Sequence, residues 1–153
     1  MTASIPRHVI ASHPKLATFL AGLESKKGYD FTDGNRRVGH VILHFLFTGE
    51  YQALPMVEDP DKNTRLEKFS EIINVYLEAN QMGLDGLVTL SESEIERQGK
   101  DMTFADVFAI IDKDFYQEAI AGEWLKRYLL RRASSETEEV KLDDIKKDSR
   151  TSA

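Results

Sequence analysis

The sequence predicts an α+β fold that is predominantly α, a cluster of helices with a small residual sheet. Three observations predict it. Apolar residues recur at the i, i+3, i+4, i+7 spacing of a helix face in segment after segment. One short run, Tyr29-Asp30-Phe31, alternates as a half-buried strand does. Apolar residues make up 41% of 153 residues, which suits one domain with a single core. Helices of ordinary length do not persist alone in water, so these apolar stripes must pack together.

The elements follow in order. The first seven residues contain Pro6 and no pattern, and read as a short entry segment. A helical piece covers His8 to Ala11. Ser12 is placed to cap a second helix, with Pro14 tolerated in its first turn and Leu16, Phe19, Leu20 and Leu23 on one stripe. After the strand at Tyr29 to Phe31, Asp33-Gly34-Asn35 makes a turn. A helix from about Arg36 to Phe47 buries Val38, Val41, Ile42, Phe45 and Leu46, and Gly49 stops it. Gln52 to Asn63, with Pro55 and Pro60, reads as a surface loop.

The strongest helix runs from Arg65 to Met82 with Leu66, Phe69, Ile72, Ile73, Tyr76 and Leu77 on one side. Gly83 closes it, and Leu84 and Leu87 pack after the stop. Asp85 is placed to cap the next helix, which carries Leu87, Leu90 and Ile95. Thr103 with Asp106 makes a capping-box-like start for Phe104 to Asp112, burying Val107, Phe108 and Ile111. A last helix from about Gln117 to Arg132 presents Ile120, Trp124, Leu125, Tyr128 and Leu129. Residues 1–133 therefore read as one domain and 134–153 as a disordered charged tail.

Composition narrows the function. The formal charge is −6, from 20 basic and 26 acidic residues. A duplex binder needs a concentrated basic face, and none is present, so no nucleic-acid partner is expected. The longest apolar run, Val41 to Phe47, is interrupted by His44 and falls far short of the ~20 residues of a membrane span. No secretory signal pattern is visible. Cysteine is absent, which removes disulfides and thiolate chemistry and fits an intracellular protein, in the cytoplasm or nucleus.

Phe45-Leu46-Phe47-Thr48-Gly49-Glu50-Tyr51 and, one helix on, Ala79-Asn80-Gln81-Met82-Gly83-Leu84-Asp85-Gly86-Leu87 carry a family likeness. Together they resemble the F-L-Y-T-G-x-Y and A-x-x-Y-x-L-x-x-L signature of the BTB/POZ domain in its divergent fungal form. The similarity extends from Pro6 to Leu130. His8-Val9-Ile10 through Ser12 and Phe19 looks like the family's H-x-x-L-x-x-x-S-x-x-F segment, and Tyr29 to Phe31 sits where its next strand lies. The resemblance implies a non-catalytic protein-interaction domain acting by homo- or hetero-association, with itself or with another BTB-type or scaffold protein. It implies His8, Val9, Leu16, Phe19, Tyr29 and Phe31 as contact residues.

Two departures qualify it. A full BTB domain begins with a β-hairpin, whereas only Met1 to Arg7 precede His8. Either the product is truncated, or Tyr29 to Phe31 takes a strand from another chain. Cullin-binding members carry an apolar-x-Glu triplet before the F-L-Y-T-G helix end, where this chain has Gly39-His40-Val41. A substrate adaptor of a cullin-type ubiquitin ligase is thus the second reading.

No catalytic residue, cofactor or metal site is expected. His40 and His44 stand four apart on a helix but lack the intervening glutamate of a metalloprotease motif, and read as packing or surface histidines. Asp59-Pro60-Asp61-Lys62-Asn63 begins like a calcium loop, yet Thr64 and Ser70 occupy the positions of its glycine and closing acid. There is no Gly-x-Ser-x-Gly elbow or glycine-rich phosphate cradle. Trp124 and Tyr128 read as core, with the aromatic centre of a partner-binding patch beside Arg127 and Arg131 as the alternative. Arg131-Arg132-Ala133-Ser134 resembles a basophilic kinase site, with Ser134 as candidate acceptor. From another class, a small-molecule-binding helical protein or an enzyme with a minimal site would be marked by a deep pocket with converging polar groups.

Overall fold

The computed structural model describes residues 5–22, 36–59, 63–115 and 123–135, and among these the regular elements are helices, with no strand. They are α1 (Arg7–Ala11), α2 (Pro14–Gly22), α3 (Arg36–Thr48), α4 (Thr64–Met82), α5 (Asp85–Gly99) and α6 (Phe104–Phe115). A further helix, α7, covers residues 123–135. The predominantly helical class is therefore as expected. The strand at Tyr29 to Phe31 and the turn at Asp33 to Asn35 lie outside the described residues. The chain divides into two units, Met1–Asp101 and Met102–Ala153.

In the first unit α4 is the hub, against which α2, α3 and α5 pack. Its burial extends well round the helix: Phe69, Ile72, Ile73, Val75, Tyr76, Leu77, Ala79 and Met82 are all buried. One core cluster joins Val9 and Leu16 from the first two helices, Val38, Val41, Ile42, Phe45 and Leu46 from α3, Val75, Ala79 and Met82 from α4, and Leu84 and Leu87 beyond it. Each large aliphatic side chain so buried contributes about 1.5–3 kcal/mol against exposure.

Both glycine stops form as the sequence predicts. Gly49 takes φ +74° and its N–H reaches Phe45 O at 2.7 Å. Gly83 takes φ +71°; its N–H donates to Asn80 O at 3.2 Å and that of Leu84 to Ala79 O at 2.9 Å. This paired pattern satisfies the last carbonyls of α4 and delivers buried Leu84 into the core. Asn63 caps the other end of α4, accepting from Leu66 N–H at 3.4 Å.

Two capping expectations are corrected. Ser12 does not cap α2: its hydroxyl turns back to donate to His8 O at 3.0 Å, and α2 starts at Pro14, whose missing N–H costs nothing there. Asp85 is the first residue of α5 rather than its cap, and forms an ion pair with Lys15 of α2 at 2.7 Å.

In the second unit, Thr103 caps α6 by accepting from Asp106 N–H at 3.2 Å. Val107 and Ile111 are buried, but Phe108 is 41% exposed, contrary to expectation. Positions 107 and 111 define the inward line, and 108 lies on its flank against Phe104, ring centroids 5.8 Å apart. On α7, Leu125 and Tyr128 are buried, and Trp124 stacks on Tyr128 at 5.4 Å with planes 4° apart. Arg132 donates to Met102 O. The helix runs through Ser135, two residues past the expected end of the domain at Ala133, so Ser134 sits exposed on a helix.

Candidate functional site

Gly49 sends the chain back along α3 and α4, and residues 51–59 run as an irregular strap. The strap is held by Arg37. The Arg37 guanidinium donates to Glu71 Oε2 at 2.5 Å, to Pro55 O at 3.3 Å and to Leu54 O. One side chain thereby ties α3, α4 and the strap together. Glu71 is only 9% exposed, so this charge-assisted pair is the counterweight to burying a carboxylate.

Beside this clamp lies a groove of about 400 Å³. Tyr51, Leu54, Pro55, Met56 and Ile72 supply its apolar lining, and Lys68, Glu94 and Arg97 its charged side. A second hollow of about 310 Å³ continues past Lys68, Arg97 and Gln98 to Arg65 and Asp101. Two pairs of charged groups in the lining satisfy each other. Glu71 takes Arg37, and Glu94 takes Arg97 through contacts of 2.7, 3.1 and 3.3 Å. The Glu94 hydrogen bond raises the Arg97 guanidinium further above its already high value.

The Tyr51 hydroxyl is buried without a hydrogen-bond partner among the described residues. Burial first, and then the Glu71 and Glu94 carboxylates, push its pKa well above the ordinary tyrosine value. A raised folded pKa means that the native state keeps a proton which the unfolded chain gives up above pH ~10. The Tyr51 contribution is therefore complete below pH ~10 and is lost as pH rises beyond it. Tyr51→Phe is expected to change stability by under about 0.5 kcal/mol at pH 7 and to flatten the decline between pH ~10 and ~11. Urea unfolding at the two pH values checks it.

The candidate contact residues fall into different places. His8 is exposed on α1, but Val9 and Leu16 are 7% and 1% exposed and belong to the chain's own core. Phe19 lies on α2, and Tyr29 and Phe31 lie outside the described residues. Of the triplet Gly39-His40-Val41, Gly39 and Val41 are buried in α3. Among the described residues of the first unit, the exposed large apolar side chains are instead Phe47, Leu54 and Val57, at 58%, 38% and 89%. Arg37 and Glu71 carry no motif and went unnoticed in the sequence. The signal that could have found Glu71 is its position among apolar residues on nearly every side of α4.

Residues 5–102 match the HAC6 N-terminal domain. The chain belongs to this family. The match ends at Met102, one residue past the end of the first unit at Asp101. The groove and the core around α4 thus lie within the HAC6 N-terminal domain. A subtelomeric hrmA-associated cluster protein of Aspergillus fumigatus, found in two strains, is 30% identical over 98 residues, covering 63% of this chain. The chain spans 24% of the length of these curated relatives. No solved structure matches. No helix among the described residues is long and apolar enough to cross a membrane.

Proposed function

We propose that this HAC6 N-terminal domain is a non-catalytic, intracellular protein-interaction domain of BTB/POZ type, working by association with itself or with another BTB-type or scaffold protein. One observation carries the reading. Among the described residues of the first unit, the exposed large apolar side chains fall within residues 47–57, the end of α3 and the strap clamped by Arg37. Exposed apolar groups on backbone anchored in this way suit docking, because little further ordering is required on binding.

Two features support the BTB/POZ assignment. Each signature segment contains a left-handed glycine that ends its helix, and the helices so closed share a single core. The groove's ion pairs are internally matched, which favours association over capture of a small polar molecule. The contact surface assigned here is Phe47, Leu54 and Val57 in place of buried Val9 and Leu16. Light scattering coupled to size exclusion, over a concentration series, tests the reading. Particle mass is expected to rise with concentration in the parent chain and to stay flat in Phe47→Glu/Val57→Glu.

A further inference from the structure

We infer that His40 and His44 form a two-imidazole site for a divalent transition metal of the zinc class on the outer face of α3. The four-residue spacing alone reads as two surface histidines. The structure adds the state of the second ring.

His44 Nδ1 stands 3.2 Å from Glu50 O and 3.1 Å from Thr48 Oγ1. A carbonyl oxygen only accepts, so Nδ1 carries the hydrogen in that contact. Thr48 is committed in the matching sense. Its hydroxyl donates to His44 O at 2.7 Å, leaving lone pairs to accept from His44 Nδ1 and from Glu50 N–H at 3.2 Å. The network therefore places the lone pair of His44 on Nε2. An imidazole whose other nitrogen donates to a carbonyl is the arrangement that fixes tautomer and ring orientation in metal-ligating histidines.

His40 supplies the second ring from one turn earlier. The two centroids are 6.1 Å apart and tilted by 34°. With Zn–N bonds of about 2.0–2.1 Å, a shared ion requires the His40 ring to turn towards His44, whose own ring the Thr48 and Glu50 contacts hold. Both residues are half-buried, so the rings are partly ordered while the face stays accessible. Imidazole pairs suit zinc, copper and nickel better than magnesium or calcium. Among the described residues no group of three His, Cys, Asp or Glu gathers at one place. The site is thus an open one, with its remaining positions taken by water or an incoming ligand, and its affinity is below that of a closed structural centre.

The test is calorimetric titration of the full chain with zinc chloride, repeated on His40→Ala, His44→Gln and Thr48→Val, with circular dichroism to establish that each variant is folded. Saturable binding of one zinc is expected. Loss of either imidazole should remove it, and Thr48→Val, which frees the positioning hydrogen bond, should weaken it by about tenfold. In a parallel nuclear magnetic resonance titration the ring signals of His40 and His44 should move while those of His8 and His13 stay. No zinc binding by the parent chain, binding that survives in both histidine variants, or movement centred on His8 and His13 would each overturn the assignment.

Discussion

Arg37→Ala is expected to lower stability by about 3 kcal/mol, and the melting temperature of a chain this size by about 8 °C. The reason is what it leaves behind. Glu71 is 9% exposed and pairs with Arg37, so truncation strands a carboxylate inside the α3–α4 packing. Arg37 itself is about one-third exposed, which keeps the figure at the lower end for a broken buried pair. The same change releases the carbonyls of Leu54 and Pro55 and loosens the strap. Arg37→Met/Glu71→Leu separates the two effects. Replacing both charges by apolar groups of similar volume should restore most of the stability, because no uncompensated charge remains. Its strap should still be cut faster by protease than that of the parent chain. A single variant as stable as the parent would mean that Glu71 finds another partner at little cost.

Gly83→Ala should cost about 3 kcal/mol and Gly49→Ala only about 1, although the two glycines share the same left-handed conformation. The conformational penalty of about 1 kcal/mol is common to both. The difference is space. A Cβ at Gly49 meets nothing within 4 Å, whereas one at Gly83 lies 2.4 Å from Lys15 Cβ. That atom is the root of the side chain, so rotation cannot move it aside and α2 must shift off α4. The shift would also pull Lys15 from Asp85. Urea unfolding of the two variants side by side reads the difference. Equal losses would show that α2 yields without cost and that its packing on α4 contributes little.

Much of this architecture was legible in the residue pattern because its causes are local. The apolar spacing of α3 and α4 and the glycines ending them depend on neighbours within one or two turns, and both helices lie where the pattern put them. The clamp was not legible. Arg37 and Glu71 are far apart in sequence, and a glutamate in a helix reads as solvent-facing until α4 is known to be enclosed on most sides. Val9 and Leu16 illustrate a second limit: an apolar stripe looks the same whether it meets its own core or another chain. Phe108 illustrates a third, since 107, 108 and 111 share one arc and only packing decides which of them is at its edge. Tyr51 ends the first signature segment. That its hydroxyl lies buried near two carboxylates depends on α5, which local pattern does not place.

Particle mass as a function of concentration tests the central claim, a docking module built on α3, α4 and the strap between them. For a 17.4 kDa chain, the light-scattering mass should climb from the monomer value towards at least twice that as concentration rises, and Phe47→Glu/Val57→Glu should hold it at the monomer. A mass constant at 17.4 kDa throughout the series would contradict self-association. A rise unchanged in the double variant would move the contact away from the strap.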